Sequence, residues 1–196
     1  PKRARVYGNL GKAYLDKEEY EKAQLAFEKT IALDPTFLGA YNNLATIHID
    51  HFRQYKKARQ YLHEAIRRNP DYPSPYLNLG VIHLQLRELD QAIQSFEKLL
   101  ELDPENLLGH YNLAAAYFNL KKYDKAISIL QKGIEIWPRS ARLYALLGVT
   151  YYHQKDDLRS QKALSQALQL DPFNKMAGGY MKKLQHRDVP SKLDYK

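Results

Sequence analysis

Cysteine is absent from this 196-residue chain. That excludes a disulfide framework and thiolate chemistry, and it is compatible with a reducing cytosol and an oxidising periplasm alike. No run of about 18 apolar residues occurs, so no membrane-spanning helix is expected. No secretory signal pattern is visible. The opening on Pro1 rather than methionine points to a processed or excised product, from which a targeting segment could have been removed. Also missing are paired carboxylates, a nucleophile motif or a glycine-rich phosphate loop in a catalytic context. The chain therefore reads as non-enzymatic, and nothing in it calls for a cofactor.

Charge of one sign is not lacking, but it is unevenly placed. The net charge is +8, yet residues 1–138 carry 19 basic and 17 acidic groups, whereas 139–196 carry 11 and 5. A nucleic-acid binder would show a basic stripe along a recognition fold. Here the body is nearly neutral, which argues against nucleic acid and for a solvated basic end or a local acidic contact. With 44% hydrophobic and 27% charged residues, the composition is that of a soluble folded protein.

What is present is a period. Pro35, Pro70, Pro104, Pro138 and Pro172 follow one another at intervals of 35, 34, 34 and 34 residues. Self-similarity at 34 residues indicates stacked helix-turn-helix units, none of which can bury its apolar face alone. Aligned on the prolines, the units run 4–37, 38–72, 73–106, 107–140 and 141–174. The fourth place of each holds Tyr7, Tyr41, Tyr76, His110 or Tyr144, and the seventh always leucine: Leu10, Leu44, Leu79, Leu113, Leu147. The eighth is small: Gly11, Ala45, Gly80, Ala114, Gly148. Tyr14, His48, His83, Tyr117 and Tyr151 come three places later, completing a helical stripe. A second helix carries Ala23, Ala58, Ala92, Ala126 and, in the fifth unit, Ser160. Four residues on stand Phe27, Leu62, Phe96, Leu130 and Leu164. Small residues where helices cross let the backbones approach, and proline then stops the second helix. His48, His51 and His83 could ligate zinc. Because His48 and His83 stand at the tyrosine place, they are read as packed, hydrogen-bonded imidazoles and not as a metal site.

Eight pattern positions recurring five times over 4–174 resemble the tetratricopeptide repeat family. The resemblance implies an all-α, right-handed superhelical solenoid of five helix-turn-helix units. It is read as a single domain, 1–186, closed by a capping helix over 175–186 with Met176, Tyr180, Met181 and Leu184 on its apolar face; 187–196 is a polar tail. Gly178 and Gly179 would make that helix pack closely or fray. Two departures stand out. The second unit has one extra residue, placed in the turn near His51–Tyr55, and the fifth has Asp157 where a large apolar residue is usual, with Leu158 as the expected substitute. The N-terminal edge has no cap of its own.

The sixth place of successive first helices holds Asn9, Asn43, Asn78 and Asn112, with Leu146 in the fifth unit. These residues lie beside the buried stripe, towards the surface that the family resemblance makes a concave groove. A primary amide offers two donors and an acceptor, so it can bond both polar groups of a peptide unit. Helices about 8–10 Å apart and a strand advancing about 3.3 Å per residue would give one such contact every third peptide residue. The arrangement resembles the asparagine ladder of the O-linked N-acetylglucosamine transferases. The candidate groove residues are Asn9, Lys12, Asn42, Asn43, Thr46, Asn78, Val81, Tyr111, Asn112, Phe118 and Arg142. Their apolar middle suits a partly apolar extended segment of a protein partner. Residues at the twelfth place, Leu15, Ile49, Leu84, Phe118 and Tyr152, could instead pack between units. The carboxylate clamp of chaperone-binding family members would fall on Gly8, Lys12, Asn43, Ser74 and Asn78, where only Asn43 clearly matches, so heat-shock chaperone tails are disfavoured. The alternatives are a scaffold that assembles through its ends, its convex face or self-association, and a recruiting arm cut from a larger enzyme.

Overall fold

A computed structural model describes residues 2–187, and the expected tail lies outside them except for Arg187. Eleven helices follow in order: α1 Lys2–Asp16, α2 Tyr20–Leu33, α3 Leu38–Asp50, α4 Tyr55–Arg68, α5 Ser74–Gln85, α6 Leu89–Leu102, α7 Leu107–Asn119, α8 Tyr123–Ile136, α9 Ala141–His153, α10 Asp157–Leu170 and α11 Lys175–Arg187. No strand occurs among the described residues. Helices α1–α6 form one compact unit and α7–α11 a second, with the division between Asp103 and Pro104.

Each second helix stops where proline demands it. Asp34, Asn69, Asp103, Trp137 and Asp171 all take ψ between 68° and 100°, outside the helical range that a following proline disfavours. Three of them reinforce the stop, accepting the N–H of Thr36, Asp71 and Phe173 at 3.0–3.1 Å. The place-four ring closes two of these corners: Tyr76 donates its hydroxyl to Pro70 O, and His110 Nε2 bonds Pro104 O, both at 2.9 Å.

The turn inside each pair has one design. Three residues separate the helices in four of the pairs, and four residues, His51 to Gln54, do so in α3–α4, which is where the extra residue was expected. Each turn holds a non-glycine residue in the left-handed region: Glu18, Arg53, Arg87, Lys121 and Lys155, with φ from 51° to 64°. In the first pair Glu19 N–H reaches back to Tyr14 O and Glu18 N–H to Leu15 O, both 2.9 Å, a Schellman closure. The same long bond joins Glu88 to His83, Lys122 to Tyr117 and Asp156 to Tyr151. With its extra residue, the second turn bonds Gln54 N–H to His48 O instead.

The pairs are held by one steric match. A Cβ added to Gly11 would lie 2.7 Å from the Phe27 ring, and one added to Gly80 would lie 2.4 Å from Phe96. Where the facing residue is the smaller Leu62 or Leu130, the first helix carries Ala45 or Ala114, all fully buried. The fifth pair combines Gly148 with Leu164, and there the added Cβ would also meet the Leu164 backbone nitrogen at 3.0 Å. The two backbones are close in that pair, and Ser160 uses the proximity: its buried hydroxyl donates to Gly148 O at 2.8 Å. That bond accounts for serine at the alanine place. Burying one such ring or leucine stabilises by about 1.5–3 kcal/mol.

Three readings change. Leu158 is 81% exposed, so it does not replace the missing apolar residue. Helix α10 starts at Asp157, the repeat position of Tyr20, Tyr55, Leu89 and Tyr123, so no one-residue shift occurs and Leu158 takes the outward place of Glu21, Lys56, Asp90 and Asp124, all exposed; Asp156 caps the helix by accepting the Arg159 N–H. On α11, Ala177 and Leu184 are buried and Tyr180 and Met181 pack beside them, while Met176 is exposed. Nothing lies within 4 Å of a Cβ placed on Gly178 or Gly179, so close packing is not their role. Finally, His48 is packed but not hydrogen-bonded: neither ring nitrogen has a partner, and the ring lies between Tyr61 and Phe52 at 5.6 and 5.4 Å. The other histidines are engaged separately, His83 with Glu88 at 2.5 Å and His51 stacked on Tyr20.

Two outcomes follow from this packing. Gly80→Ala should destabilise the protein by about 1–3 kcal/mol through overpacking. Gly80→Ala with Phe96→Leu, the combination already present at Ala45–Leu62, should lose less than the two single changes summed; denaturant titration of all four proteins measures the coupling. His48 generates a pH dependence. Burial first, then the charge of Lys57, holds its pKa below the ordinary 6.5 against the opposing charge of Glu28. The folded state therefore resists a proton that the unfolded state accepts. Stability is full above about pH 6.5 and falls below it, by at most about 1.4 kcal/mol per pH unit, until the folded pKa is passed. His48→Tyr, which restores the residue of Tyr14 and Tyr117, should flatten the decline of the urea midpoint between pH 7 and 5.

Candidate functional site

The first helices of neighbouring pairs lie side by side within each compact unit, α3 against α5 and α7 against α9, with α11 packed on α9. Their sixth-, fifth- and ninth-place residues meet on one surface because helical geometry puts these positions on a face distinct from the stripe at the eighth place, which is taken up by the second helix.

In the first unit this surface carries a polar knot. Asn78 Nδ2 donates to Asn42 Oδ1 at 2.9 Å and lies 3.3 Å from Thr46 Oγ1. Thr46 in turn donates to the carbonyl of Asn42, one turn earlier, at 3.1 Å. Three predicted groove residues on two helices are thus joined, all half-buried. The amide donors of Asn78 are spent within the protein, and its Oδ1 is thereby oriented as an acceptor. Asn43 and Val81 are half-buried on the same helices, while Asn9 and Lys12 on α1 are exposed.

In the second unit the surface is aromatic and cationic. The Arg142 guanidinium lies over the Tyr111 ring, 5.4 Å from its centre. Both line an open hollow of about 630 Å³, together with Ser140, Ala145, Asn174, Lys175 and Met176. Phe173, 90% exposed, stands at its margin. Asn112 is half-buried on α7. Phe118 sits 5.1 Å from His153 and 5.6 Å from Tyr123, packed against the α9–α10–α11 core with Tyr152. The twelfth-place residues are therefore inter-pair packing groups in the main: Ile49 is buried among Leu79 and Ile82, and Leu15 packs on the Leu44–Ile47 cluster.

Several residues were not assigned to this surface from the sequence, Tyr180 and Met176 having been read as the apolar face of a cap. Tyr180 bonds His153 Nε2 through its hydroxyl at 3.1 Å and stacks edge-on against Tyr152 at 5.0 Å. It stands 34 residues after Leu146, at the place the asparagines occupy. Carrying the period one step beyond Pro172 would have found it, because α11 is laid out as the first helix of a sixth unit. Lys175 and Met176 follow from the same extension. His153 carries no such signal.

Comparison with known proteins agrees with this layout. Models described as tetratricopeptide repeat match residues 4–37, 26–60, 50–107, 84–149 and 141–174. Among solved structures, YrrB, described as a TPR protein with an unusual peptide-binding site, is 21% identical over 90% of both chains with a TM-score of 0.72. A MamA protein is 20% identical over 96% of this chain and 97% of its own, with a TM-score of 0.73. The thermophilic TPR protein TTC0263 of Thermus thermophilus is 18% identical over 93% and 99%, with a TM-score of 0.71. At these identities the likeness is one of fold. No curated protein matches the chain.

Proposed function

The chain belongs to the tetratricopeptide repeat family, and from that premise we propose that it is a non-enzymatic module holding an extended, partly apolar segment of another protein along the surface of its first helices. Protein interaction is the role that its repeats and its structural relatives support. The finer reading rests on one observation above all: polar side chains of consecutive first helices converge on a common face, as Asn42, Thr46 and Asn78 do.

Asn43, Asn78 and Asn112 would bond the peptide backbone, with Asn9 at the outer end. Asn78 would act chiefly through Oδ1, accepting a peptide N–H, because its donors are held by Asn42 and Thr46. Val81 and Tyr111 would supply apolar contact, with Phe118 bordering it from the core. Lys12 and Arg142 would meet polar or acidic groups at the ends of the segment. Each backbone contact is worth about 1 kcal/mol net, so recognition would need several together, and the neighbouring side chains would choose the sequence. That YrrB is described as having a peptide-binding site lends the reading an analogy and no residues.

A random peptide library displayed on phage tests it. The native chain should enrich partly apolar peptides. Asn43→Ala/Asn78→Ala/Asn112→Ala should bind the selected peptides on the order of 100-fold more weakly, from three contacts of about 1 kcal/mol each, with an unchanged circular dichroism spectrum. Equal binding by both proteins would refute the ladder.

A further inference from the structure

Three residues after its small residue, each second helix has a place whose occupant differs from pair to pair: Ala26, Tyr61, Ser95, Ile129 and Ala163. In the second pair Tyr61 fills the space beside the eleventh place of the first helix. Its ring centre lies 5.6 Å from that of His48, with the two planes nearly parallel at 13°. Its hydroxyl donates to Glu28 of the preceding α2 at 3.5 Å. The ring packs on two core clusters at once.

The fifth pair has the same frame without the ring. Tyr151 stands at the place of His48, Gln131 of α8 at that of Glu28, and Ala163 at that of Tyr61. Gln131 Nε2 donates to the Tyr151 hydroxyl at 3.5 Å, so the preceding second helix reaches this pair as α2 reaches the second. With a methyl where the phenol would be, a hollow of about 320 Å³ remains. Leu147, Tyr151 and Ala163, all buried, form its floor, and half-buried Tyr144 stands beside them. Helix α8 packs on α9, and α11 packs on both α9 and α10. The hollow therefore lies within the second compact unit and does not arise from a missing neighbour.

The rim of the hollow is cationic. Arg159 lies over Tyr151, 4.8 Å from the ring centre, and is paired with Asp156 at 2.5 Å. Lys162 lines the rim too, at a place where the other pairs hold Leu25, Gln60, Gln94 and Ser128. No carboxylate lines the hollow.

We propose that this hollow receives an aromatic side chain, tyrosine or phenylalanine, of a partner protein whose adjoining residues are acidic. The ring takes the space that Tyr61 fills from within, and the flanking carboxylates meet Lys162 and Arg159. Aromatic anchors seated in desolvated pockets dominate protein interfaces, and the charges set encounter and orientation. Size favours a side chain over a free small molecule, because the volume is at the low end for small-molecule sites and the hollow is open where such sites enclose their ligand. The fourth, seventh and eleventh places of α9 are distinct from the groove places, so this contact is independent of the groove reading.

The test titrates the ¹⁵N-labelled full chain with the acetylated peptide Ser-Glu-Tyr-Glu-Ser. Amide shifts should saturate and centre on α9 and α10 around Leu147 and Ala163. Peptides with alanine for the tyrosine, or with lysine for both glutamates, should bind at least about tenfold more weakly. Ala163→Tyr supplies the ring from within, as Tyr61 does, and should abolish binding in a folded protein. Arg159→Glu/Lys162→Glu, at two exposed sites that leave the floor untouched, should reverse the charge preference. Asn43→Ala/Asn78→Ala/Asn112→Ala should bind the peptide as the native chain does. Absent binding, equal binding of the alanine peptide, shifts centred elsewhere, a charge preference unchanged in Arg159→Glu/Lys162→Glu, or binding that survives a folded Ala163→Tyr overturns the proposal. So does free hydroxyphenylacetate that shifts the same amides and binds as tightly as the peptide, since the hollow would then be a small-molecule site.

Discussion

The contact between a nearly side-chain-free position on one helix and a large side chain on the next governs this protein. Phe27 against Gly11 and Phe96 against Gly80 set the distance between the helices of a pair. Where the large partner shrinks to leucine, the small one grows to alanine, so the summed volume is kept and the helix spacing with it. Because the eighth place is fixed against the second helix, the sixth place turns to the face shared by the first helices of each unit, and the third, seventh and tenth turn towards the preceding second helix. The face that carries the asparagines and the face that stacks are both set by this one crossing.

At Asn78 the proposed binding and the architecture would share the same atoms. Its amide links α5 to α3 through Asn42 and Thr46, so it is a strut before any peptide arrives. A ligand that wants its donors must displace that link, and one that uses its oxygen finds the group already held.

Much of the fold was legible because periodic constraints are local. The prolines fix the helix ends, the 34-residue spacing fixes the pairs, and the extra residue of the second unit falls in the turn before Tyr55. The losses have physical causes. Leu158 read as an apolar substitute, but α10 keeps the start of the other second helices, so packing of the pair holds the register and leaves Leu158 at an outward place. His48 read as hydrogen-bonded because imidazole usually is; its neighbours Tyr61 and Phe52 offer faces instead. Of the candidate site, the face on which groups converge was readable from helical spacing. That Asn78 bonds Asn42 was not, since both were read as reaching for a ligand. Tyr180 was read only as part of the cap's apolar face, because the period was stopped one helix too early.

The turns within the pairs bear on how the chain acquires its shape. Glu18, Arg53, Arg87, Lys121 and Lys155 all hold left-handed backbone without being glycine, at a cost on the order of 1 kcal/mol each. A free segment would not choose this conformation at all five corners. Their cost is offset once the two helices of a pair have docked, which would place closure of the corners after the hydrophobic contacts. In the kinetics of folding these loops would be followers: side chains in them would alter the unfolding rate and leave the folding rate nearly unchanged.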